Sequence, residues 1–107
     1  MGQSDVEFGD IILVEVPFTD QAKTKLRPAL VLIEELDNVV IAGITSNVKM
    51  KGIFLPKSEG LIVDSVLKLN YIFTISRNRV KKKLTHLSET KKEEICLELR
   101  NKFKVCL

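Results

Sequence analysis

Apolar positions along this chain repeat mostly at the short period of strands. "IILVEV" (11–16) is apolar nearly throughout, with a charge at Glu15, while "RPALVLI" (27–33) and "VVIAGI" (39–44) are short, rich in branched side chains and bounded by polar breaks. All three read as buried strands. From Ser65 onward Leu67, Leu69, Tyr71, Phe73 and Ile75 alternate with the mostly polar Lys68, Asn70, Thr74 and Ser76, a period of two that predicts one long, half-buried, bent strand. "EELDN" between the second and third strands suits a hairpin. "PFTDQAKTKL" between the first two is a loop long enough to carry function, and "KMKGIFLPKSEG" reads as a loop or a short edge strand. The period then changes. Ser88 is an N-cap, Glu89 lies in the first turn, and Ile95, Leu99, Phe103 and Cys106 fall on one face of a C-terminal helix that packs on the sheet. The expected class is mainly β with α (α+β): short strands curling into a partly open barrel that hides its strand edges, with one amphipathic helix.

Composition narrows this little but excludes much. At 107 residues, 45% hydrophobic and 29% charged, the chain is expected to fold as one globular domain over residues 1–107. No apolar run approaches the roughly 18 residues that span a bilayer, and "MGQSDVEFGD" lacks the basic and apolar regions of a signal peptide. A soluble, cytoplasmic protein with no membrane partner is the expectation. Cys96 and Cys106, ten apart, suit neither a zinc knuckle nor a redox motif and are expected to be small, buried or half-buried thiols. The net charge of +3 is uneven: residues 1–53 carry five Lys or Arg against eight Asp or Glu, residues 54–107 twelve against six. Five cations fall in "RNRVKKK" (77–83), which is either a polyanion-binding patch or a solvated face.

Candidate chemistry is reached by elimination. There is no Gly-rich phosphate loop and no His, Cys and carboxylate cluster at metal-binding spacing, so neither a metal nor a cofactor is expected. The single histidine, His86, rules out a two-histidine pair and is expected on the surface or as a cap before the helix. Polar groups at strand mouths remain: Arg27 at the start of the second strand, and Thr45, Ser46 and Asn47 at the end of the third. An antiparallel hairpin would bring Arg27 and Thr45 together on one rim, where a guanidinium and two hydroxyls could grip a phosphate. The alternative is that Thr45-Ser46-Asn47 is only a turn and Arg27 a solvated strand-end charge. Pro28 removes an N–H at the first position of the strand and biases Arg27 towards an extended backbone.

"GDIILVEVPF", "KLRPALVL", "IAGITSN", "DSVLKLNYIFTISRNRV" and "LTHLSE" before an amphipathic helix resemble, in order and spacing, the MazF/PemK (Kid) toxins of bacterial toxin–antitoxin systems. The resemblance runs from about Gly9 to Phe103. It implies an SH3-like barrel homodimer, a metal-independent endoribonuclease acting on single-stranded RNA, and a small acidic antitoxin as partner. The family's catalytic arginine falls on Arg27 and its catalytic threonine or serine on Thr45. Around them, Lys25, Ser46, Asn47, Lys49, Arg77 and Arg79 are expected to contact RNA. Two positions depart from the pattern: the family's "IRTID" reads "IFTIS" here, placing Phe73 and Ser76 where many members have Arg and Asp. The first loop also lacks the Gly- and Ser-rich form seen in some members. Phe73 is expected in or beside the core, the other reading being an exposed ring that stacks on an RNA base. A barrel that kept antitoxin or nucleic-acid binding without cleavage is the alternative function.

Overall fold

Residues 5–17 and 24–104 are described by the computed structural model. Six strands and one helix follow in order: β1 Asp10–Pro17, β2 Thr24–Glu35, β3 Asn38–Thr45, β4 Ile53–Leu55, β5 Ser65–Ser76, β6 Val80–His86 and α1 Glu89–Lys102. All neighbouring pairs are antiparallel, in the order β4-β5-β3-β2-β1-β6. β5 and β6 thus lie on opposite sides of β1–β3, yet a 3-10 turn of three residues, Arg77–Arg79, joins them. Four strand spacings in a flat sheet would separate them by about 19 Å, whereas such a turn advances only about 2 Å per residue. The sheet must therefore curl, and it forms a partly open barrel with β4 and β6 as unpaired edges.

Both faces of the central strands are buried. One face carries Ile11, Leu30, Ala42, Ile44, Leu67 and Leu69 and is covered by α1 through Ile95. The concave face carries Ile12, Val14, Ala29, Val31, Val39, Ile41 and Ile75. This two-sided burial is why the first three strands read as nearly continuous apolar runs. Burying Ile95 completely contributes about 1.5–3 kcal/mol.

Ser88 caps α1 as expected, its hydroxyl accepting the Lys91 N–H at 3.2 Å. Its own N–H and hydroxyl donate to the two carboxylate oxygens of Glu59, each at 2.9 Å, which ties the turn before β5 to the helix. The apolar stripe is shorter than expected: Ile95 is buried and Leu99 half-buried, but Phe103, at the C-cap, is exposed. Cys96 is exposed too, because one step along the helix from Ile95 turns its side chain about 100° from the buried face. Cys106 lies outside the described residues, as does the stretch 18–23 of the expected first loop, whose last three residues belong to β2. β6 was hidden from pattern reading, since its exposed lysines show no apolar alternation.

Candidate active site

A two-residue turn sets the register that builds the site. Leu36 and Asp37 both have positive φ, 55° and 67°, the geometry of a tight hairpin whose twist matches its strands, and Glu35 pairs with Asn38. Counted outward from that pair, Arg27 would face Ser46. A bulge between Val31 and Ile33 moves the register by one, so that Ala29 pairs with Gly43. Extended by two residues, this register sets Arg27 opposite Thr45. The ladder itself stops at Ala29, beside Pro28, which has no N–H to donate.

Arg27 and Thr45 share the concave face with Ala29 and Ile41, and both line one open cavity of about 280 Å³. Its floor is apolar, with Val14, Ala29 and Ile41, and its rim carries Arg27, Thr45, Lys68, Tyr71 and Phe73. Strand alternation sends Ser46 to the other face, where it lines a separate cavity of about 380 Å³ that also reaches Arg27. The expected pair of hydroxyls on one phosphate is therefore not formed. Thr45 and Asn47 are engaged as turn residues: Thr45 Oγ1 accepts the Asn47 N–H and Asn47 Oδ1 accepts the Lys49 N–H, both at 3.1 Å. The Thr45 hydroxyl proton is not used in that bond and remains available to an oxygen in the cavity.

Lys25 is exposed on β2, on the same side as Arg27, and Lys49 is exposed in the turn after β3. Arg77 and Arg79 do not line the cavity. Arg77 instead holds the barrel's curl, its guanidinium meeting Glu34 at 3.2 Å and Asp5 at 3.9 Å while its N–H donates to the Asp37 carbonyl. Much of the basic run is likewise compensated: Lys81 lies 3.6 Å from Glu15 and Lys83 3.4 Å from Asp10.

Phe73 is not a core residue. The β3–β5 ladder jumps from Ala42↔Ile72 to Gly43↔Lys68, leaving three residues, Leu69 to Tyr71, in an outsize bulge. An odd number of extra residues inverts the alternation. Leu67 and Leu69 face the helix, whereas Phe73, 41% exposed, turns to the concave face beside Tyr71, 58% exposed. Sequence reading also missed Lys68 and Met50 as lining residues; Lys68 Nζ sits 4.9 Å from the centroid of the Tyr71 ring. A lysine between two buried leucines was the available signal.

A larger cavity of about 610 Å³ between the β4–β5 edge and α1 is lined by Glu94 and Glu98 as well as lysines, a mixed charge ill suited to a phosphate. Elsewhere, Glu7, Asp10 and His86, distant in sequence, bring ligand atoms within 4.8 Å of one another, so the metal-binding spacing missing from the sequence does arise in space. Two ammonium groups occupy its surroundings. His86 Nδ1 is 2.7 Å from Asp10 Oδ1 and Lys92 Nζ is 2.8 Å from Nε2, so the ring sits between a carboxylate of β1 and an ammonium of α1. His86 therefore ties β1 to α1 rather than capping the helix. Burial opposes ionisation of Asp10, but the His86 and Glu7 N–H groups and the Lys83 ammonium outweigh it and hold the carboxyl below its ordinary value.

Fold and site together define a small, curled β-barrel with an apolar cavity on its concave face, rimmed by two cations and two aromatic rings. Residues 7–103 match the family of PemK-like, MazF-like toxins of type II toxin–antitoxin systems, and the chain belongs to that family. It is 32% identical over 98 residues to the endoribonuclease MazF of Staphylococcus saprophyticus, covering 81% of this chain and 82% of that one. Among solved structures it resembles the Mycobacterium tuberculosis toxin MazF-mt6, with a TM-score of 0.72 at 23% identity, covering 89% of this chain and 96% of that one. A mycobacterial endoribonuclease in complex with its cognate antitoxin has a TM-score of 0.71 at 13% identity, with 90% of each chain covered. Among the described residues, no helix is long and apolar enough to cross a membrane.

Proposed function

We propose that this chain is the toxin of a toxin–antitoxin pair and an endoribonuclease that cleaves single-stranded RNA without a metal ion, leaving 2′,3′-cyclic phosphate and 5′-OH ends. The observation that carries this reading is the placement of Arg27 opposite Thr45 on the rim of one cavity, in a chain of the MazF family. In such a reaction the ribose 2′-hydroxyl gives up its proton as its oxygen attacks the adjacent phosphorus, a bond to phosphorus forms, and the bond to the 5′-oxygen breaks as that oxygen takes up a proton, with no net change in protons. Charge builds on the non-bridging oxygens. Arg27, charged at any working pH, offers a fixed fork to those oxygens and acts as an electrostatic clamp before any proton transfer. Thr45 donates its hydroxyl proton to the same group. Among the described residues, the cavity lining holds no carboxylate or imidazole.

Lys25, Asn47 and Lys49 do not line the cavity but lie within two residues of Arg27, Thr45 and Met50, which do, and would contact the strand beyond the reacting phosphate, with Ser46 reaching it from the other face. Arg77 and Arg79 contribute to the positive field rather than to this cavity. The protein would work in the cytoplasm as a homodimer held in check by a small acidic antitoxin. A catalytically silent barrel is the second reading, favoured by the phenyl ring of Phe73 where many family members carry an arginine.

Single-stranded RNA incubated with the protein in EDTA separates the two. Cleavage to cyclic-phosphate ends supports the enzyme; intact RNA with salt-sensitive binding supports the silent barrel.

A further inference from the structure

The bulge in β5 does more than turn Phe73 outward. It brings two aromatic rings and a lysine to the lining of the cavity that also holds Arg27 and Thr45. Two exposed rings of this size lining one cavity offer apolar surface that a flat partner could cover. The cavity, at about 280 Å³, falls just below the roughly 300 Å³ at which pockets for drug-sized ligands begin, and has room for one flat ring rather than a folded chain. Its apolar floor excludes a second charge, and the two cations, Arg27 and Lys68, are set at its edge where phosphates flanking one base would lie.

We infer that Tyr71 and Phe73 form a shelf on which one unpaired nucleobase stacks, with Lys68 holding the phosphate next to that base, so that the β5 bulge selects single-stranded over paired substrate. This rests on the ribonuclease reading above and assigns the recognition step within it. A base in a duplex is already stacked on both sides and cannot enter, whereas an unpaired base gains a π-face. Lys68 lies over the Tyr71 ring, and an arriving phosphate draws its ammonium to the edge of the shelf as the base takes the ring face.

The chain offers an unusual reporter, for Tyr71 is its only tyrosine and it has no tryptophan. Its intrinsic emission therefore comes from the shelf itself. The test titrates the purified protein with a dye-labelled, mixed-sequence single-stranded RNA whose 2′-O-methyl riboses cannot be cleaved. Binding is followed by dye anisotropy and stacking by tyrosine emission, with free tyrosine amide correcting for light absorbed by the RNA. The expected result is quenching of Tyr71 in step with binding, and no quenching by the duplex of the same sequence. Phe73→Leu should weaken single-strand affinity about five- to hundredfold, the range for loss of one stacked base. Phe73→Trp, which keeps a stacking face, should stay within about threefold of wild type, separating lost stacking from a damaged fold. Lys68→Gln should lower the salt dependence of binding by about one phosphate contact.

Saturated binding with unchanged Tyr71 emission, or equal quenching by the duplex, would overturn the inference while leaving RNA cleavage intact. A wild-type protein that neither binds this RNA nor cleaves its unmodified counterpart would overturn the ribonuclease reading and the inference with it.

Discussion

Asp10 is fully buried yet remains a carboxylate, because His86, the Glu7 N–H and Lys83 surround it with donors and a positive charge. Its folded value lies below the ordinary 3.8, so between the two values the unfolded chain binds more protons than the folded one and stability rises with pH. The contribution is thus complete above about pH 4 and disappears as pH falls through the folded value. Asp10→Asn is expected to lower stability at neutral pH and to flatten the fall below pH 4. Denaturant midpoints of wild type and variant across about pH 2.5–7 check this, since their difference isolates Asp10 from the other carboxylates. Parallel curves at all pH values would contradict it. Elsewhere at the scale of single residues, alternation is decisive: Thr45 and Ser46 are neighbours in sequence but point to opposite faces, and only the threonine shares a cavity with both Arg27 and Phe73.

Elements carry the site through their irregularities. The bulge between Val31 and Ile33 sets a register that, extended past Ala29 and Gly43, brings Thr45 rather than Ser46 opposite Arg27, and the one in β5 puts Leu69 and Phe73 on opposite faces. The helix start is a third device: Ser88 both caps α1 and receives Glu59, while Gly60, at φ 104°, packs so closely on Thr85 that a β-carbon would collide with it. Ser88→Ala should therefore cost about 1–2 kcal/mol, the upper part of the range for a lost N-cap, read as a lower urea midpoint with an unchanged slope. A loss within about 0.5 kcal/mol, the range of ordinary surface changes, would contradict the clamp.

These elements also show what was legible in the sequence. The buried strands, the "EELDN" hairpin and the cap at Ser88 were readable because each is a local pattern with a local physical cause. The two bulges were not, since an inserted residue leaves the apolar pattern nearly unchanged while altering every partner beyond it. Phe73 was misassigned for that reason alone. The meeting of Asp10 with His86 was likewise invisible, being made by the pairing of the first strand with the last.

At the scale of the whole molecule, the excess of cations in residues 54–107 is partly spent within the fold, on Glu34, Asp5, Glu15 and Asp10. What remains is a weak positive field suited to steering RNA or an acidic antitoxin, each expected to weaken the other's binding. Sedimentation at micromolar concentration should show a dimer, and a competition titration should show displacement of RNA by the antitoxin; a monomer, or both ligands bound without mutual weakening, would count against that picture. Arg27, set opposite Thr45 by extension of the β2–β3 register, is the group proposed to stabilise the charge that develops on a cleaved phosphate. Single-turnover cleavage of one single-stranded RNA in EDTA by wild type and Arg27→Ala tests that role most directly. The variant's rate is expected to be at least about 10²-fold lower, a loss of some 2.7 kcal/mol of transition-state stabilisation, with little change in melting temperature because the side chain is exposed. Cleavage by Arg27→Ala at the wild-type rate would contradict it.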